Sequence, residues 1–210
     1  MPIAFDAFGT LFDLNALREP AGDALYDAFY TRLQPWTWFA TVAGAYRPLP
    51  QLAEEALRSA ARATGENPDE AARLAEQLTQ LPLFPETREA LDALREKHAL
   101  AVLSNGTEEG LEELLGNAGI RDRFEHVIAA DSVKRYKPAH EVYQLAPRAF
   151  AAAPHEVVLV SGNDWDAAGA KLAGLSSAWV SRGRPLAPVL GVEPDHVVED
   201  LSGLVFALDG

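Results

Sequence analysis

Three short apolar runs, each stopping at small polar residues, constrain this chain more than any other feature. Ile3-Ala4-Phe5 ends at Asp6, with Gly9-Thr10 just beyond. Leu100-Ala101-Val102-Leu103 ends at Ser104-Asn105-Gly106, and Val157-Val158-Leu159-Val160 ends at Ser161-Gly162-Asn163. Short continuous apolar runs read as strands buried on both faces, as in a parallel sheet. Two weaker runs of the same kind are His126-Val127-Ile128-Ala129 and Ser177-Ala178-Trp179-Val180. Helical patterns separate them. Residues 87–97 place Ala90, Leu91 and Leu94 on one face, and 108–118 do the same with Leu111, Leu114 and Leu115. Residues 140–150 carry Val142, Tyr143, Leu145 and Ala146, while 166–173 are rich in Ala and Gly and suited to close packing on a sheet. This alternation predicts a doubly wound, mostly parallel, Rossmann-like α/β core. Such sheets bind ligands at the carboxyl ends of their strands, where all three strong runs turn polar.

One stretch breaks the alternation. Residues 15–80 show only helical patterns, with turn signals at Arg47-Pro48-Leu49-Pro50 and Gly65-Glu66-Asn67-Pro68. The reading is a helical cap, 15–80, inserted after the first strand of a core built from 1–14 and 81–210. The cap aromatics Phe29, Tyr30, Trp36, Trp38, Phe39 and Tyr46 are expected mainly to pack, a minority lining a pocket beneath the cap.

Composition narrows the function classes. The formal charge of −13 disfavours nucleic acid and anionic membranes as partners. With no cysteine, thiol catalysis, thiolate metal sites and disulfides are excluded. No apolar run approaches a membrane span, and the first residues lack a signal-like pattern, so a cytoplasmic protein is expected.

A carboxylate at the end of a buried strand, ahead of a Gly turn, is well placed for covalent attack. The same residue type also forms turns and helix caps. The surrounding residues tip the balance. Phe5-Asp6-Ala7-Phe8-Gly9-Thr10-Leu11-Phe12-Asp13 closely resembles the first motif of the haloacid dehalogenase-like superfamily. Ser104-Asn105-Gly106 resembles the second, Tyr136-Lys137-Pro138 the third, and the segment from Ser161 through Asp166 to Ala170 the fourth. The resemblance implies that Asp6 is the nucleophile, with Thr10 and Leu11 helping to hold the bound group. It implies that Lys137 orients Asp6 and favours its anion, and that Asp166 activates water. Ser104, Asn105 and nearby backbone N–H groups would bind a substrate carboxylate. Ser161 and Asn163 would support Lys137 and Asp166, Tyr143 would stand behind them, and Trp165 would form an apolar wall on the halide side.

Magnesium-dependent members of the superfamily carry a second Asp two residues after the first, where this chain has Phe8. They carry an acidic ligand where it has Ser161-Gly162. No metal or other cofactor is therefore expected. The sequence instead resembles the type II L-2-haloacid dehalogenases, including Trp36-Thr37-Trp38 and Tyr46 in the cap. That implies hydrolysis of a small anionic 2-haloalkanoic acid through an aspartyl ester, and allows a homodimer. Two positions depart. An Arg that faces the leaving halide in that subfamily is replaced by Tyr30, with Arg32 and Arg47 as the nearest substitutes, and a cap Phe is replaced by Leu49. A related hydrolase with another small substrate, including a divergent phosphatase, and a weakly active or non-catalytic member remain open on that ground.

Overall fold

The computed structural model describes residues 1–209. The first strand, β1 (Pro2–Phe5), is followed by an all-helical insert. A 3-10 turn (Leu14–Leu17) leads into α1 (Arg18–Ala21) and the long α2 (Asp23–Val42). Next come α3 (Leu49–Thr64), α4 (Pro68–Ala72) and a second 3-10 stretch (Arg73–Thr79). In α3 the buried residues Leu49, Leu52, Ala53, Ala56, Leu57, Ala60 and Ala61 recur at helical spacing, and this stripe packs on α2.

The remainder alternates: α5 (Thr87–Leu94), β2 (Ala99–Ser104), α6 (Glu108–Asn117), β3 (His126–Ala129), α7 (His140–Tyr143), α8 (Leu145–Phe150), β4 (Val158–Ser161), α9 (Asp164–Leu172), β5 (Ser176–Val180), β6 (His196–Val198) and α10 (Leu201–Asp209). Among the described residues one sheet runs in the order β3-β2-β1-β4-β5-β6, and every pairing is parallel. The expected doubly wound core with a helical insert after β1 is thus what forms. The strand order reverses between β1 and β4, and Asp6 and Ser161 both stand at that switch point. Side chains of β1 and β4 are buried almost throughout, which is why these strands read as unbroken apolar runs.

Three local expectations are revised. The single helix over 140–150 is interrupted at Gln144, because Pro147 has no N–H to offer the Tyr143 carbonyl. The helix expected at 166 begins at Asp164, and the helix expected to reach 97 ends at Leu94. β6 and α10 had no counterpart in the sequence reading.

Insert and core meet through a tyrosine latch. Tyr46 Oη donates to Asp131 Oδ1 at 2.6 Å, and Tyr136 Oη donates to the Arg47 carbonyl at 2.6 Å. The two rings pack with centroids 5.1 Å apart. Of the insert's aromatics Tyr26 and Phe29 are buried, while Tyr30, Trp38 and Phe39 reach the surface.

Candidate active site

Asp6 leaves β1 with its backbone N–H bound to the Val160 carbonyl at 2.9 Å, so the sheet itself fixes its position. Its carboxylate is held by three side chains. Thr10 Oγ1 donates to Oδ2 at 3.0 Å, Asn163 Nδ2 to the same oxygen at 3.2 Å, and Lys137 Nζ to Oδ1 at 3.2 Å. Lys137 also donates to Asp166 Oδ2 at 2.8 Å, and Tyr143 Oη donates to Asp166 Oδ1 at 2.8 Å. The result is a buried carboxylate–ammonium–carboxylate row. Asp166 sits in the first turn of α9, where unpaired N–H groups favour a negative charge.

Two close approaches hold these groups together. Gly162 N donates to Thr10 Oγ1 at 2.8 Å, and a Cβ on Gly162 would run into the Gly9 carbonyl. A Cβ on Gly169 would collide with the Tyr143 hydroxyl. Small residues at both sites let β1, β4, α7 and α9 converge.

Burial pushes the Asp6 carboxyl up to about 6; the Lys137 ammonium pulls it down, and Asp166 adds repulsion. The expectation that Lys137 favours the Asp6 anion holds in direction, yet desolvation outweighs it. Burial opposes the charge on Lys137, but Asp166 and Asp6 outweigh that and hold its pKa above the ordinary lysine value. Desolvation, with Asp166 nearby, drives the Tyr143 hydroxyl well above its usual value.

A cleft of about 450 Å³ opens above Asp6 and is walled by both insert and core. Asp6, Tyr30, Asn105, Asn163 and Trp165 line it. Thr10, Lys137, Ser161, Tyr143 and Asp166 lie buried behind that surface. Leu11 is in the core, its backbone N–H bound to Ala7 and its carbonyl to Phe84 and Thr87. Ser104 Oγ, at the end of β2, is buried without a hydrogen-bond partner and stands behind the cleft lining, which Asn105 reaches. Asn105 Oδ1 accepts the Lys137 N–H at 2.8 Å. Asn163 supports Asp6 through its amide, and Asp166 only through its backbone carbonyl; Ser161 Oγ accepts the Asn163 N–H at 3.1 Å. Trp165 meets Trp38 of the insert edge-on, with centroids 5.7 Å apart.

Tyr30 does face the cleft, stacked on Tyr26 with centroids 5.9 Å apart. The two substitutes offered for the missing Arg are elsewhere: Arg32 donates to the Ala28 carbonyl within α2, and Arg47 pairs with Glu55. The cleft's guanidinium groups are instead Arg18, Arg182 and Arg184, none of which sequence reasoning singled out. Leu49, at the position of the missing Phe, is a cleft wall. Among the described residues, no group of three or more His, Cys, Asp or Glu is placed to hold a metal ion. No helix among them is long and apolar enough to cross a membrane.

Fold and site together define a doubly wound α/β core with a buried carboxylate–ammonium–carboxylate row under a helical insert. A family model for haloacid dehalogenase-like hydrolases matches residues 3–174. (S)-2-haloacid dehalogenase 2 of Pseudomonas sp. (strain CBS-3) is 32% identical, the match covering 96% of this chain and 93% of that protein. A crystal structure of an L-2-haloacid dehalogenase superposes with a TM-score of 0.95 at 32% identity, covering 100% of this chain and 98% of that one. The L-2-haloacid dehalogenase of Xanthobacter autotrophicus, solved with chloropropionic acid covalently bound, superposes with a TM-score of 0.92 at 27% identity, again covering 100% and 98%. The chain belongs to the haloacid dehalogenase-like hydrolase family, within its L-2-haloacid dehalogenase subfamily.

Proposed function

We propose that this hydrolase cleaves the carbon–halogen bond of a small 2-haloalkanoic acid through an ester on Asp6. The observation that carries the reading is the Asp6 carboxylate itself. It lines the cleft, is held by Thr10, Asn163 and Lys137, and has Asp166 behind the same ammonium. An Asp6 oxygen attacks the carbon bearing the halogen; the new C–O bond forms as the C–X pair leaves with the halide. Water then adds to the Asp6 carbonyl carbon, giving one proton to Asp166; the acyl C–O bond breaks, and the departing alkoxide takes the proton of the new Asp6 carboxyl, releasing the hydroxy acid and restoring the Asp6 carboxylate. Ser104 and Asn105 receive the substrate carboxylate, and Trp165 forms an apolar wall. The covalent chloropropionate complex of the Xanthobacter relative supports such an ester.

Residues 15–80 serve as the cap over a core of 1–14 and 81–210, in a cytoplasmic protein. Exposed Phe39 and Val42 on α2, at 72% and 89%, suit a homodimer contact. Tyr30 in the cleft favours a second reading, a hydrolase of the same mechanism acting on a different small anion.

The deciding experiment measures halide release from 2-chloro- and 2-bromopropionate and phosphate release from small phosphate esters, each with chelator and with Mg²⁺. Halide release indifferent to chelator is expected. Phosphate release that requires Mg²⁺, with no halide release, overturns the reading. Single turnover in labelled water should place the label in Asp6.

A further inference from the structure

A halide leaving into a water-poor pocket needs a positive or hydrogen-bonding partner, and a charged donor stabilises it more than a neutral one. The catalytic row does not supply that charge, because Lys137 is shared by Asp6 and Asp166, two carboxylates against a single ammonium. In the insert Tyr30 is neutral, Arg32 and Arg47 lie outside the cleft lining, and Arg18, which does line it, is paired with Asp23 and Asp27.

The three guanidinium groups in the cleft differ in their partners. Arg18 is bound by Asp23 and Asp27, both at 2.8 Å. Arg182 is bound by Glu86 at 2.9 Å and by the Thr10 carbonyl at 2.8 Å, with its guanidinium over the Phe84 ring. Arg184 has no carboxylate partner among the described residues. It donates Nε to the Ser181 carbonyl at 2.9 Å and Nη2 to the carbonyls of Gly162 and Val180, above the Trp179 ring. Neutral carbonyls orient a guanidinium without cancelling its charge. Arg184 is therefore the cleft cation whose charge no described carboxylate offsets.

Arg184 lines the cleft on the β4–β5 flank. The Gly162 carbonyl it grips directly precedes Asn163, whose amide holds Asp6, and Trp165 lines the same flank two residues on. Ser104 and Asn105 stand at the end of β2, on the opposite side of β1 from β4 and β5. The carboxylate of a haloacid and the charge developing on its halogen would thus meet different flanks. We infer that Arg184 is the catalytic residue that binds the departing halide, in place of the Arg whose position Tyr30 occupies. The halide role rests on the dehalogenase reading; an anion site at Arg184 does not.

The test has two arms. In the first, 2-chloro- and 2-bromopropionate turnover is compared for wild type, Arg184→Gln and Arg184→Lys. Arg184→Gln should lower kcat about 100-fold for the chloro acid and less for the bromo acid, whose leaving group needs less help. Arg184→Lys should recover part of the loss. A rise in KM alone, equal for both halides, overturns the halide role, and so does unchanged kinetics. In the second arm, iodide is titrated against tryptophan fluorescence in wild type and Arg184→Gln without substrate. Saturable quenching in wild type, weakened about tenfold in the variant, supports the anion site. Equal quenching in both, or none that saturates, overturns it. Iodide binding that depends on Arg184 in a protein inert to haloacids would sink the dehalogenase reading and leave the anion site standing.

Discussion

Lys137 Nζ donates to Asp166 Oδ2 at 2.8 Å, and neither side chain is open to solvent beyond about a hundredth of its surface. An ion pair at that depth has lost the hydration of both charges, and only mutual attraction and further hydrogen bonds offset the loss. Tyr143 supplies the remaining bond to Asp166, and Asp6 takes another from Lys137. Lys137 is therefore the counter-ion on which both carboxylates depend.

Lys137→Met tests that dependence. It leaves two buried carboxylates facing each other without a counter-ion, a change that costs about 3 to 5 kcal/mol when a buried pair loses one partner. The variant should melt well below wild type at pH 7.5 and show no turnover. The loss should shrink near pH 5, where Asp6, with its pKa pushed up to about 6, is protonated and the repulsion falls. Thermal melts at the two pH values check this; an equal loss at both would mean that packing, not charge, dominates.

Asp6 should contribute less to stability than to reactivity. Its pKa rises from 3.8 to about 6 on folding. The folded state thus keeps a proton that the unfolded chain has already released, and stability falls as pH climbs between those values. The shift corresponds to about 3 kcal/mol at neutral pH. Asp6→Asn removes the titration while keeping an acceptor for Thr10, so it should stabilise the protein at pH 7.5 and have little effect near pH 4. Denaturant melts at both pH values measure this. The same ionisation should govern wild-type kcat/KM, which should rise through about pH 6 and level off above it.

Tyr143→Phe isolates the second step. The substitution takes the donor from Asp166 Oδ1 and leaves that oxygen buried. Attack by Asp6 involves none of these atoms, whereas activation of water by Asp166 does. Halide should appear in a burst of about one equivalent per site, followed by a slow phase as the ester persists. Intact-mass measurement during turnover should show the adduct. Uniformly slower kinetics with no burst would assign Tyr143 a purely structural part.

How much of this was legible in the residues differs by element. β1, β2 and β4 announced themselves because burial on both faces demands an unbroken apolar run. β6 did not: it is three residues long, and Val197 in its middle is half-exposed. The break at Gln144 was within reach, since Pro147 carries it. Asp6, Lys137, Asp166 and Asn163 could be named from motif order, but not the detail that Asn163 spends its amide on Asp6. Arg184 was out of reach for a different reason. Whether a cation is paired depends on which carboxylates the fold brings near it, and Arg18, Arg182 and Arg184 look alike in a sequence.

Position 30 ties these arguments together. Tyr30 lines the cleft from α2, stacked on Tyr26, and its hydroxyl can offer a halide only a neutral hydrogen bond. An Arg there would add a charge-assisted one, roughly twice as strong. If Arg184 already supplies the charge, the second cation adds little, so Tyr30→Arg should raise 2-chloropropionate turnover only slightly in wild type. In an Arg184→Gln background the same change should recover activity by about tenfold, because the cleft's other guanidinium groups, Arg18 and Arg182, are already paired with carboxylates. Arg32→Ala should leave both backgrounds unchanged, since Arg32 bonds within its own helix and lies outside the cleft lining. The double-mutant cycle gives the coupling between positions 30 and 184 directly. Equal gains from Tyr30→Arg in the two backgrounds would show that the residues act on different groups, and would return the leaving halide to some other partner.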